Sequence, residues 1–122
     1  MKREMLKDDC KNKEHEMIVA RAKEGILSSS DVEKVSKIFH LLSEPSRLKI
    51  VLALLNGELC VFHLTDVCES TQSAVSHQLR ILRDNHIVKG RRKGKFVEYS
   101  LADQHIKGII EMGVQHLQCA KR

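Results

Sequence analysis

A chain of 122 residues, 42% hydrophobic and 30% charged, is long enough for one domain with its own core and needs no disulfide staples. Its longest aliphatic run, Ile50 to Leu55, is far too short to span a membrane, and its opening Met1-Lys2-Arg3-Glu4 leads into polar residues rather than an apolar signal region. A cytoplasmic protein with reduced cysteines is therefore expected. The net charge of +5 is concentrated in one segment: between Thr71 and Tyr99 seven basic residues stand against two acids, and the rest of the chain sums to zero. Basic charge gathered in this way suits a polyanion. Three phenylalanines and one tyrosine are too few to stack single-stranded bases, which leaves double-stranded DNA as the partner.

In chain order, residues 1–14 mix charges without periodicity and are expected to form a flexible arm, with one domain over residues 15–122. A helix is predicted from about His15 to Ile26. Asp31 or Ser30 caps a second helix, in which Val32, Val35, Ile38, Phe39 and Leu42 recur at three and four residues. Pro45 suits the first turn of a third helix whose buried stripe is Leu48, Val51, Leu52 and Leu55, and Gly57 stops it. Two short helices follow, marked by Val61, Leu64 and Val67 and then by Val75, Leu79 and Leu82. Glu69-Ser70-Thr71 makes a tight turn between them, which is the pattern of a helix-turn-helix. The period then changes to alternation over residues 87–92 and 96–101 around Lys93-Gly94-Lys95, predicting a β-hairpin with a basic tip. A last helix from about Asp103 presents Ile106, Ile109, Ile110, Gly113, Val114 and Leu117 as a wide apolar face. The expected fold is mainly α (α+β): a winged helix-turn-helix with a two-stranded hairpin wing and flanking dimerisation helices.

On the second helix of the pair, Ser73, Ser76, His77 and Arg80 fall at i, i+3, i+4 and i+7, one polar stripe opposite the apolar one. Short hydrogen-bonding side chains with an arginine suit base edges and phosphates, although any amphipathic surface helix carries a polar stripe. Arg91, Arg92, Lys93 and Lys95 at the hairpin tip can straddle the backbone beside the groove.

The run Ser73-Ala74-Val75-Ser76-His77-Gln78-Leu79-Arg80, with Leu82-Arg83 after it, closely resembles the recognition helix of the ArsR/SmtB family of metal-responsive repressors. The resemblance extends over about Val32 to Arg122. It includes Leu42-Ser43-Glu44-Pro45-Ser46-Arg47-Leu48, which is similar to the family's L-x-D/E-x-x-R segment, and Glu58-Leu59-Cys60-Val61, which is similar to its ELCV box. It implies a homodimeric repressor that binds operator DNA, with Gln78 among the DNA-binding residues, and dissociates when a metal binds.

Two ligand constellations stand out. Asp103, His105, His116 and Cys119 lie on the last helix. His105 and His116 are eleven residues apart, about 16 Å along the axis, so one ion cannot touch both. Asp103 with His105 can share an ion, as can His116 with Cys119 at i and i+3. Two copies packed antiparallel would join one end pair to the other copy's opposite pair, giving two four-ligand sites with N, N, O and S donors suited to tetrahedral Zn(II). The resemblance implies the same arrangement, with Cys119 standing where the family's zinc sensors carry a carboxylate or imidazole. It also implies a link from His116 to the backbone near His86. A capping aspartate, two surface histidines and an incidental cysteine would give the same sequence.

The second constellation is Cys60 and His63, with Cys10 and His15 from near the arm able to complete it. The resemblance implies such a site in the family's cadmium/lead and some zinc sensors. A half-buried Cys60 and a surface His63 are the alternative. Cys68 is expected in the core and His40 on the helix surface or in the core. Zn(II) is the expected ligand, with Cd(II), Co(II) or Pb(II) as competitors. A thiol-oxidation sensor of the same fold is the rival function, with metal favoured because no two cysteines form a CxxC. An enzyme is not expected, since no nucleophile motif or HExxH is present, and neither a membrane partner nor a small-molecule substrate is implied.

Overall fold

The computed structural model describes residues 12–121, which divide into two compact units at Lys37/Ile38. The first holds α1 (Lys13–Glu24) and the start of α2 (Ser29–Leu42). Asn12 caps α1 by accepting from the backbone N–H of His15 at 2.8 Å, and none of the α1 residues is buried. The cap of α2 comes from Ser28, whose hydroxyl accepts from Asp31 N at 3.2 Å, rather than from Ser30 or Asp31 as expected. The helix starts a turn earlier because a serine hydroxyl ahead of it meets the first unpaired donors.

The second unit carries the core. After the end of α2 come α3 (Pro45–Ala53), a 3-10 turn at Leu54–Asn56, β1 (Leu59–Cys60), α4 (Val61–Val67), α5 (Gln72–Asp84), β2 (Val88–Lys93), β3 (Phe96–Leu101) and α6 (Gln104–Ala120). Pro45 takes the first turn of α3, and Glu44 caps it by accepting from Arg47 N at 3.1 Å. The core joins Leu41 and Leu42 of α2 to Ile50, Val51, Leu54, Leu64, Cys68, Val75, Leu79, Leu82, Ile87 and Val88, closed by Ile106 and Ile110 of α6. Two expected core positions lie outside it. Leu52 is 37% exposed because α3 turns Ile50, Val51 and Leu54 inward instead. Val67 is exposed because the chain closing behind α4 carries Cys68 into the core in its place.

Both helices of the helix-turn-helix end in the same way. Glu69 (φ +51) and His86 (φ +59) adopt the left-handed conformation just past α4 and α5. Behind α4, Ser70 N donates to Thr65 O at 3.1 Å and Glu69 N to Asp66 O at 3.2 Å. Behind α5, Ile87 N donates to Leu82 O at 2.9 Å and His86 N to Arg83 O at 3.0 Å. These are two Schellman closures built without glycine.

The expected two-stranded wing carries a third strand. The sheet order is β1-β3-β2, antiparallel throughout, with Leu59 opposite Tyr99 and Cys60 opposite Glu98. Lys93 pairs with Phe96 across a two-residue turn, where Gly94 has φ +63, as the first position of a type II′ turn requires. Gly90 lies opposite Tyr99, and a Cβ there would come within 3.0 Å of Val97 Cγ1, so the strand admits no side chain at that point. Among the described residues no helix is long and apolar enough to cross a membrane.

Candidate nucleic-acid interface and metal ligands

Three side chains pin α5 to the core. Val75, Leu79 and Leu82 are all buried, and full burial of such a side chain is worth about 1.5–3 kcal/mol. Thr71 caps the helix, its hydroxyl accepting from Ala74 N at 3.1 Å. The opposite side is therefore fixed in direction, and Ser73, Ser76, His77 and Arg80 are all exposed along it. Gln78 is placed differently: it is half-buried, its Nε2 donates to Ser46 Oγ at 3.2 Å, and Arg47 Nη1 donates to its Oε1 at 3.4 Å.

Arg91, Arg92, Lys93 and Lys95 are exposed on the hairpin. Arg91 Nη2 lies 2.8 Å from Glu58 Oε2, and Lys93 Nζ lies 4.0 Å from Glu98 Oε1. The hydrogen bond from Arg91 holds the Glu58 carboxyl below its usual range and raises the guanidinium in turn. A T-shaped contact between Phe62 of α4 and Phe96, ring centroids 5.9 Å apart, ties the hairpin tip to the helix-turn-helix.

On α6 the four predicted ligands form two exposed pairs. Asp103 is the N-cap, accepting from Ile106 N at 3.0 Å, and His105 Nδ1 lies 3.5 Å from Asp103 Oδ1. The Ile106 N–H is the main reason the Asp103 carboxyl sits below its usual range. His116 and Cys119 lie exposed near the other end of the helix, and among the described residues His116 makes no side-chain hydrogen bond to the protein. The implied link to the backbone near His86 is thus not formed in the single chain.

Cys60 is buried at the N-cap of α4, with Sγ 3.4 Å from His63 Nδ1, and His63 is exposed. A thiolate and an imidazole at this separation fit a metal's ligand types. His15 is exposed on α1 in the other unit, and Cys10 lies outside the described residues. Among the described residues no three His, Cys, Asp or Glu side chains are close enough to hold an ion, so each pair needs further ligands. Cys68 is in the core, where burial pushes its thiol up, and His40 is exposed. Sequence reasoning missed Glu58, Ser46 and Arg47 as site residues. The glutamate and arginine within the L-x-D/E-x-x-R and ELCV segments were the available signal.

A two-helix reader, a basic β-hairpin beside it and a supporting helix on each side define a DNA-binding winged helix-turn-helix protein. The sequence profile described as "Bacterial regulatory protein, arsR family" matches residues 44–89. The chain is 41% identical over 100 residues to the transcriptional repressor SmtB homolog of Synechocystis sp., covering 82% of this chain and 76% of the relative. It is 40% identical over 114 residues to the cadmium resistance transcriptional regulatory protein CadC homolog of Staphylococcus aureus, covering 92% and 93%. Among solved structures, apo-NmtR superposes with a TM-score of 0.67 at 38% identity over 77% of this chain and 79% of that one. The antimony-specific repressor AntR superposes with a TM-score of 0.72 at 29% identity over 79% and 87%. This chain belongs to the ArsR family of transcriptional regulators, which are not enzymes.

Proposed function

We propose that this chain is a metal-sensing repressor that binds operator DNA as a homodimer and leaves it when Zn(II) or a similar ion binds. The observation that carries this reading is the pairing of Asp103 with His105 and of His116 with Cys119 at opposite ends of one exposed helix. The ends are too far apart to share an ion within one copy, but two copies crossing antiparallel would complete both sites. Such a dimer has apolar surface to cover: Ile109, Met112 and Leu117 are exposed on α6, the last two at 64% and 55%. Val32, Val35 and Phe39 are exposed on α2. The Asp103 carboxylate, two imidazoles and the Cys119 thiolate would hold the ion, which supplies a cross-link between the two α6 helices. That cross-link weakens DNA binding to the extent that the metal prefers the dimer geometry that fits half-sites about 34 Å apart poorly.

In the reader, Ser73, Ser76, His77 and Arg80 contact the groove while Arg91, Arg92, Lys93 and Lys95 take phosphates. The Cys60–His63 pair forms a second site with Cys10 and His15, the arm of residues 1–14 bringing Cys10 to it. The relatives named for SmtB and for cadmium resistance support a metal effector in general.

The test is operator affinity with and without metal, alongside sedimentation of the metal-free protein. His105→Ala and His116→Ala are expected to bind operator normally and to ignore zinc, and Cys60→Ser to keep most of the zinc response while losing affinity for Cd(II). A metal-free monomer at micromolar concentration removes the shared site. A zinc response abolished by Cys60→Ser and kept by His116→Ala moves regulation to α4.

A further inference from the structure

Gln78 lies within the run that resembles a recognition helix, yet both ends of its carboxamide are occupied inside the protein. Nε2 donates to Ser46 Oγ, and Oε1 accepts from Arg47 Nη1. Neither partner is loose. The Ser46 hydroxyl donates to the Glu44 carboxylate, and the Arg47 backbone N–H donates to that carboxylate too. Arg47 Nε donates to Leu41 O at 2.8 Å. One continuous set of hydrogen bonds therefore runs from the last turn of α2, through the first turn of α3, to the middle of α5. We infer that Gln78 is a positioning residue: it fixes the roll of α5 against α3, so that Ser73, Ser76, His77 and Arg80 meet the groove in register, and it reads no base itself.

Two physical points favour this over base reading. To contact an adenine edge Gln78 would have to present the same donor and acceptor outward. That would leave half-buried Ser46 and Arg47 groups without partners, a loss charged against every base it gained. The apolar anchors Val75, Leu79 and Leu82 fix the depth of α5 but are non-directional, whereas two directional bonds one turn from Ser76 resist rotation about the helix axis.

This inference rests on α5 being the reader, so the experiment separates the two. Operator affinity is measured for wild type, Gln78→Ala, Ser46→Ala and the double variant, each against a panel with every operator base pair changed singly. Gln78→Ala is expected to weaken operator binding by about 5- to 30-fold, the worth of one or two hydrogen bonds. Binding to an unrelated duplex should hold within about twofold, and the base-by-base preference should keep its shape. The double variant should be little weaker than Gln78→Ala alone, because both break the same brace. Preference lost at a single base pair, or losses that multiply in the double variant, would overturn the inference. Independently of DNA, the Gln78 side-chain amide resonances should shift in Ser46→Ala and stay put in Ser73→Ala; unmoved resonances in Ser46→Ala would also overturn it. If Ser76→Ala and Arg80→Ala leave sequence preference intact, the reading of α5 falls instead, and the amide resonances still decide the brace.

Discussion

Arg92→Ala asks whether the wing lies on the DNA backbone. Arg92 and Lys95 are exposed and, among the described residues, carry no ion pair, whereas Arg91 is held by Glu58 at 2.8 Å. Arg92 therefore exchanges only water and counterions for a phosphate. Each phosphate neutralised adds about 0.9 to the slope of log affinity against log salt, and a dimer loses two such contacts, so the slope should flatten by about 1.8. Over a fourfold rise in salt that is a factor of about 12, by which the advantage of wild type over the variant shrinks between about 50 and 200 mM. Fluorescence anisotropy with labelled operator and with a scrambled duplex, at four salt concentrations, measures it. Both duplexes should show the same flattening, since phosphate contacts carry no sequence information. A slope unchanged within about 0.3 for Arg92→Ala would refute the placement of the wing on the backbone.

Two further expectations concern carboxylates near the reader. Glu58→Gln removes the acid that occupies Arg91, so binding to any duplex should tighten several-fold at low salt, with unchanged sequence preference; weaker binding would mean that Glu58 aims Arg91 rather than competing for it. Glu44 is held below its ordinary value of 4.5, first by the Ser46 hydroxyl and then by the backbone N–H groups of Ser46 and Arg47. A depressed folded-state value means a contribution fully present above the unfolded value and lost as pH falls through the folded one. Wild type should thus lose stability from about pH 4.5 downward more steeply than Glu44→Gln in urea titrations, and parallel acid limbs for the two would exclude this cap as a contributor.

The helices and hairpin were legible because aliphatic spacing at three and four residues, then at two, reports which face is buried. What was not legible depends on contacts far apart in the chain. β1 is two residues long, too short for any period, and exists only because Leu59 and Cys60 meet Tyr99 and Glu98. The closures at Glu69 and His86 lack the glycine that would announce them. At the second, Ile87 and Leu82, both fully buried, make packing outweigh the cost of left-handed backbone. Gln78 looks like part of the polar run, and only Ser46 and Arg47, more than thirty positions upstream, reveal which way it faces. The metal pairs were legible from spacing alone, Cys60 with His63 and Asp103 with His105, because i, i+3 on a helix and a cap with the residue two beyond it are local relations.

How a change at α6 could reach the reader follows from the backbone between them. Ala102, next to the capping Asp103, donates its N–H to Ile87 O at 2.9 Å, and Ile87 N donates to Leu82 O on α5 at 2.9 Å. Two successive bonds thus join the start of α6 to the last turn of the reading helix, passing beside left-handed His86. Contiguity alone does not transmit anything; coupling needs an element with two arrangements that both sites bias. A residue held in the left-handed region by its surroundings is such an element, since loss of the Ile87 bond removes the closure that keeps it there. Asp103 and His105 therefore sit where a ligand can act on α5 from within one protomer, while His116 and Cys119, at the far end of α6, bear on it only through a second copy. On this geometry the first-turn pair governs the response of the reader, and the last-turn pair governs whether the dimer can bind the ion at all.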